Sequence, residues 1–321
     1  PADLGNVKDV VSTKTKLSQQ GFDKCRKIPA HSILVTCIGS TIGKMGMATT
    51  EMATNQQINS IIPIDCSPDY VYYSIQSRFP KYITSIATQA VPILSKSVFE
   101  SLDSYKTSIE EQNKIGKLLH LLDERIDAQS KIIEEQETFL KSLADKLFLQ
   151  NNHSCQLSEI VNIVKGKQLN ADTLSETGDY YVMNGGITPS GYYSEYNVPA
   201  GAISISEGGN SCGYVQFNEK PFWSGGHCYS LQCKTNLVDY KYIYYYLKAK
   251  QSDVMALRIG SGLPNIQKKD LEKFTIAYPS LQLQKQFVKA LDALSGKINT
   301  EKHLLEKYCQ QKSYLLSQMF I

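Results

Sequence analysis

The chain has 321 residues, with 34 basic against 31 acidic side chains and a formal charge of +3. That length suits two domains, a 42% apolar content argues against a disordered chain, and so small a charge does not mark a nucleic-acid binder by composition. The longest apolar runs, Leu118–Leu122 and Ile243–Leu247, fall far short of the roughly 20 residues of a membrane helix.

In chain order, the sequence opens at Pro1 rather than Met and without a secretory leader, which fits a fragment or a processed product. Ser32–Cys37 reads as a short strand running into a polar, glycine-bearing loop, Ile38–Gly46. The tyrosines around Tyr72 fit helix packing better than base stacking. A long helix is predicted from Ser108, whose hydroxyl and Glu111 three residues on resemble a capping box. Its apolar positions are Ile115, Leu119, Leu122, Ile126, Ile133, Leu140, Leu143 and Leu147. With Gln129 and Gln136 in the middle, the steps alternate four and three, the spacing of a coiled-coil seam.

After a short connector, Asn151–Ser154, Leu157–Asn170 (LSEIVNIVKGKQLN) reads as an alternating strand and a basic turn. Asn184–Tyr193 (NGGITPSGYY), Phe222–His227 (FWSGGH) and Gly260–Asn265 (GSGLPN) are polar, turn-forming stretches. Ile203–Ser206 is a strand leading into the loop Ser206–Gly213 (SEGGNSCG), and His227–Cys233 alternates like a strand. Trp223 reads equally well as core or as a polar rim. A second long helix is predicted from Ser280, with a seam at Phe287, Leu291, Leu294, Ile298, Leu305, Leu315 and Met319 and polar positions at Glu301, Tyr308 and Lys312.

The eight cysteines form no CxxC pair. His227 with Cys228 and Cys233 offers a zinc reading, but reduced core thiols fit better and suit the cytoplasm. No Walker A, NPPY, FxGxG, PD…ExK, HExxH or GxSxG pattern is present, and the five histidines are scattered. The expected chain therefore binds or scaffolds, with no catalytic residues and no metal.

Self-comparison organises these elements. Residues 92–148 lie over 264–320 at a constant offset of 172, while Ile28–Ala48 and Asp69–Ser77 lie over their counterparts at 170. The chain is a tandem duplication in which each copy is a globular part followed by a long helix. At offset 170, Pro1 matches Ala171, so the first copy lacks counterparts of Leu157–Asn170. The segments are 1–107, 108–150, 151–279 and 280–321. The first helix carries nine acidic and six basic residues and the second three and six, balances of −3 and +3 that favour pairing with each other. The expected fold is α+β: two α/β domains in pseudo-two-fold tandem repeat, separated by two long helices packed as an antiparallel coiled coil.

Several stretches carry a family resemblance: YPSLQLQKQFVKALDAL (Tyr278–Leu294), with Phe287 where the family has Ile, its parallel SIEEQNKIGKLLHLLDERI (Ser108–Ile126), IVKGKQL, YYVMNGGITPSGY and IGSTIGK. Together they resemble the DNA specificity subunit of type I restriction–modification systems, with the first target-recognition domain shortened at its front. The resemblance implies a non-catalytic subunit that reads a bipartite, asymmetric site on double-stranded DNA. It implies docking of two methyltransferase subunits and of restriction/translocase subunits. S-adenosylmethionine, ATP and Mg would belong to those partners, with no cofactor in this chain and no membrane. By position and chemistry, the candidate DNA-binding residues are Ser40, Thr41, Lys44 and Gln57 in the first half. In the second half they are Lys165, Lys167, Asn184, Tyr192, Asn210, Ser211, His227 and Asn265. The alternatives are a non-catalytic protein-binding coiled-coil scaffold, the specificity chain of a type IIB-like system, or a hydrolase concealed in one half.

Overall fold

The computed structural model describes residues 1–5, 7–84, 93–149, 152–260 and 262–320. Pro92, where the 172-residue register begins, lies outside the described residues, as do Gln150, Asn151 and Ile321 at segment boundaries and Ser261 of the GSGLPN stretch. The chain forms two compact units, Pro1–Glu134 with Thr300–Ile321, and Glu135–Asn299. Each unit therefore takes in part of both long helices. Among the described residues, no helix is long and apolar enough to cross a membrane.

The first unit contains β1 (Asp9–Val10), α1 (Gln19–Asp23), β2 (Ile33–Thr36), β3 (Met45–Ala48), β4 (Ile58–Ile61), α2 (Pro68–Thr84), α3 (Lys96–Glu100) and the first part of α4 (Ile109–Leu147). Its sheet runs β1-β3-β2-β4, with β2 antiparallel to both neighbours and β1 parallel to β3. All four residues of β2 are buried because both faces are covered. Ile33 and Val35 pack with Tyr72, Tyr73, Phe79 and Leu119, whereas Leu34 packs with Leu4, Val10 and Ile28. The tyrosines of α2 are thus core residues, as their helical spacing predicts.

The second unit contains β5 (His153–Gln156), α5 (Leu157–Ile160), β6 (Val161–Lys165), β7 (Tyr180–Met183), β8 (Tyr192–Tyr193), β9 (Ala202–Ser206), β10 (Val215–Asn218), β11 (Phe222–Ser224) and β12 (Cys228–Cys233). α6 (Tyr240–Ala249), α7 (Gln251–Ala256), α8 (Lys268–Glu272), β13 (Thr275–Tyr278), the end of α4 and the first part of α9 (Leu281–Met319) complete it. The main sheet is ordered β10-β9-β12-β6, a smaller one β11-β7-β8, and β13 pairs with β5.

Two local expectations are corrected here. Leu157–Ile160 is a single helical turn rather than strand, because Glu159 accepts the Gln156 backbone N–H and closes a capping box; the strand starts at Val161. β12 does not alternate, since its first four residues are all buried. Tyr229 and Leu231 enter the main core while Cys228 enters a second core with Met183, Val198 and Phe222.

Matched backbone bonds refine the repeat. Buried Gln112 accepts the Ser67 N–H and donates to the Thr107 carbonyl; buried Gln284 accepts the Asp239 N–H and donates to the Pro279 carbonyl. Likewise, Tyr70 Oη donates to the Tyr105 carbonyl and Tyr242 Oη to that of Ala277. Every one of these pairs is separated by 172, so the tyrosine helix keeps the register of the long helix rather than the 170 read from its DY dipeptides. The tie between the two helices fixes their spacing in both copies.

The long helices span 39 residues each, about 58 Å at 1.5 Å per residue. Ser108 Oγ accepts the Glu111 N–H, as its capping pattern requires. In the first unit Asp123 meets Lys312, Arg125 meets Tyr308 and Gln129 meets Glu301. One number rises as the other falls, so these helices pack antiparallel. In the second unit Leu140, Leu143, Ala144 and Leu147 share a core with Phe287 and Leu291. All the predicted apolar seam residues are buried or half-buried. The polar middle has a specific bond: Gln129 Nε2 donates to the Glu301 carboxylate at 2.7 Å. These two residues are 172 apart, so equivalent positions of the two copies touch.

Candidate functional site

The two glycine-bearing loops have different sequences and the same backbone. After β2, Ile42 N–H donates to Gly39 O, Gly43 N–H to Thr36 O and Lys44 N–H to Thr41 O. After β9, Cys212 N–H donates to Gly209 O, Gly213 N–H to Ser206 O and Tyr214 N–H to Ser211 O. Gly39 and Gly209 hold φ of 86° and 79°, and Gly43 and Gly213 hold 88° and 87°, which a side chain would strain. The fixed turn carries variable tips. Ser40 and Asn210 are exposed, Thr41 and Ser211 half-buried, and Lys44 exposed. Gln57 lies beside the first loop, its carbonyl accepting the Cys37 N–H.

In the second unit, Asn184, His227 and Asn265 come together along a cleft of about 550 Å³, with Thr188, Ser190 and Gly209. Asn184 Oδ1 accepts the His227 N–H at 3.0 Å, which ties two separate polar stretches together. Asn265 is placed by backbone bonds in both directions with Ile259. Tyr192 is not part of this cleft. It lies on β8, paired with Tyr181 across the strands and bonded to Ser175.

Lys165, the last residue of β6, and Lys167 flank Gly166 where the strand enters its turn, and both are exposed. The turn is pinned by Gly166 N–H to Cys228 O and Lys167 N–H to Ser224 O. Trp223 braces it from the side. Its Nε1 donates to the Lys167 carbonyl at 2.8 Å, and its half-buried ring meets Tyr193 edge-on.

Sequence reasoning missed Glu207. Its side chain is 12% exposed and sits 2.6 Å from Lys165 Nζ, with His227 Nδ1 at 3.7 Å. Tyr229 Oη donates to it at 3.0 Å. Burial, and after it the Glu207 carboxylate, pushes the Tyr229 phenol well above its ordinary pKa, so it stays a proton donor. Glu207 thus holds Lys165 against β9 and restrains its charge. Glu207→Gln should free that lysine. Non-specific DNA affinity should then rise, with a salt slope steeper by about one. Anisotropy titrations at several salt concentrations check this, and an unchanged slope would show that the carboxylate does not restrain Lys165.

The thiols do not form a metal centre with His227. Cys228 is buried, its thiol pushed up to about 11 by burial, whereas Cys233 is exposed at the far end of the strand. Among the described residues, no three His, Cys, Asp or Glu side chains are grouped to hold a metal. The site offers charge, amides and hydroxyls on rigid turns, which is the chemistry of recognition.

Comparison with known proteins agrees with this layout. A family described as "Type I restriction modification DNA specificity domain" matches residues 2–138 and 151–307, one match per copy. A putative type I specificity subunit of Mycoplasma genitalium is 24% identical over 303 residues, covering 88% of this chain and 79% of its own length. One of Mycoplasma pneumoniae is 33% identical over 152 residues, covering 47% and 40%. The crystal structure of a type I restriction–modification S subunit from M. genitalium shares the fold, with a TM-score of 0.71 at 23% identity over 99% of this chain and 89% of that one. With the family matched across both copies, the chain belongs to the type I restriction–modification DNA specificity family.

Proposed function

We propose that this chain is the non-catalytic DNA-reading subunit of a cytoplasmic type I restriction–modification complex. Each unit reads one half of a bipartite, asymmetric site on double-stranded DNA. The coiled-coil helices set the gap and dock two methyltransferase subunits, and restriction/translocase subunits join that assembly. S-adenosylmethionine, ATP and Mg act in those partners.

The observation that carries this reading is the pair of equivalent turns, Ser40–Lys44 and Asn210–Tyr214, with the same backbone bonds and different tip side chains. A constant frame with variable tips is what two base-reading specificities on one scaffold need. The candidate contacts remain Ser40, Thr41, Lys44 and Gln57 in the first unit, with Lys165, Lys167, Asn184, Asn210, Ser211, His227 and Asn265 in the second. Tyr192 stands apart from the cleft and contributes at most from the rim. Residues 1–107 carry 11 basic and 8 acidic residues, and residues 151–279 carry 11 of each. Such balanced surfaces give modest DNA affinity alone, with the methyltransferases supplying much of the phosphate clamp.

Methylome sequencing of a strain carrying this chain with its methyltransferase should show a bipartite adenine motif. Exchanging Ile38–Gly46 for the loop of another family member should change one half of that motif. A loop exchange that abolishes partner assembly and leaves the motif untouched would favour a scaffold instead.

A further inference from the structure

On the reading of Ser40–Lys44 and Asn210–Tyr214 as base-reading turns, we propose that Gln251 and Phe79 are positioning residues for base recognition. Each sets the pose of one turn from behind, without meeting DNA itself. In the second unit the junction of α6 and α7 closes the far side of the turn. Gln251 Oε1 accepts the Val215 N–H at 2.9 Å and Gln251 Nε2 donates to the Gly213 carbonyl, so one amide spans the end of the turn and the start of β10. Lys248 Nζ donates to the Val215 carbonyl at 2.9 Å and to Gln251 Oε1 at 3.4 Å, and lies 3.8 Å from the Tyr214 ring centroid. Burial lowers this amine to about 8, and among the described residues no carboxylate pairs with it. β10 ends the main sheet, so the two side chains take the place of a neighbouring strand at its first residue.

The first unit backs its turn with the same two helix positions and different chemistry. At the 172 register, Phe79 and Ile83 match Gln251 and Met255. A Cβ on Gly43 would come within 2.7 Å of the Phe79 ring and 3.3 Å of Ile83 Cδ1, and one on Gly213 within 2.8 Å of Met255 Cα. The second glycine of each turn therefore presses on the helix behind it. The tie itself differs: an aromatic ring against Gly43, an amide bonded to the backbone around Tyr214. The tips Ser40 and Thr41, or Asn210 and Ser211, ride on that frame. Hydrogen bonds to base edges weaken steeply below about 120°. Phosphate contacts depend on charge far more than on angle. A turn released from behind therefore loses base discrimination before it loses affinity, which is how a supporting residue acts on a site it does not enter.

The test uses the full chain with its methyltransferase, on duplexes carrying the methylated motif and single-base changes in either half. Gln251→Leu keeps the volume and removes both bonds. Discrimination in the second half should fall about tenfold. The first half should be unchanged, with non-specific affinity and its salt slope as in the wild type. Phe79→Leu should relax the first half alone. Gln251→Glu still accepts the Val215 N–H and gives Lys248 a carboxylate, so it should fall between Gln251→Leu and the wild type. If Gln251→Leu does not fold, Phe79→Leu and Gln251→Glu carry the same comparison. Asn210→Ala with Ser211→Ala tests the reading of the turn itself. If that tip variant alters the second half and Gln251→Leu does not, the reading stands and the proposal falls. If neither alters it, both fall. Equal loss at both halves, or weaker binding with discrimination intact, marks a merely structural role and overturns the proposal.

Discussion

Alanine at Gly166 is expected to weaken specific DNA binding at least tenfold and to destabilise the second unit. The reason is contact rather than dihedral freedom. A Cβ at Gly166 would fall onto the carbonyls of Ser224 and Gly225, backbone atoms that have no rotamer to move aside. The turn and the strand end it leans on would separate, straining the Gly166–Cys228 and Lys167–Ser224 bonds. Overpacking of this kind costs about 1–3 kcal/mol. It also displaces Lys165, Lys167 and the Trp223 brace together. Gly262→Ala is the control, since its Cβ meets nothing within 4 Å. Calorimetry and anisotropy on both variants separate stability from binding. A folded Gly166→Ala chain that binds DNA as the wild type does would show that this turn does not present the lysines.

Gln284→Ala should cost about 2–4 kcal/mol. The side chain is 0% exposed and satisfies two backbone groups, the Asp239 N–H and the Pro279 carbonyl. Removing it leaves both groups buried and unpaired, opens a cavity, and cuts the tie between α6 and the start of α9. Gln284→Glu keeps the acceptor and loses the donor, so it should fall between. Gln112→Ala should act in the first unit in the same way. Urea unfolding followed by tyrosine fluorescence reads both. A loss below about 1 kcal/mol for Gln284→Ala would mean that water replaces the amide without cost.

The long helices and the duplication were legible because both are periodic: seam spacing survives divergence, and a fixed offset needs no knowledge of the fold. The glycine loops were legible through their flanking strands. What escaped the sequence is what depends on distant partners. Glu207 gains its role from Lys165, 42 residues away and two strands across, and no local pattern announces it. β12 reads as alternating, yet a second small core covers its other face. Leu157–Ile160 reads as strand because its apolar residues are close together, and only the Gln156–Glu159 capping bond turns it into a helix. The glutamines at 112 and 284 were a missed signal, since an amide retained at equal repeat positions within an apolar setting implies a paired backbone.

The Gln129–Glu301 bond has a consequence for self-recognition. In a symmetric pair of identical helices, the residue at the crossing point must face its own copy. Two second helices would set Glu301 against Glu301, a like-charge contact that disfavours homotypic assembly. Two first helices would set Gln129 against Gln129, with no charge to strengthen the bond. Pairing a first helix with a second places an amide opposite a carboxylate at that point. The crossing residues therefore favour a first helix meeting a second over either helix meeting its own kind, so that the divergence of the two copies decides which helices pair.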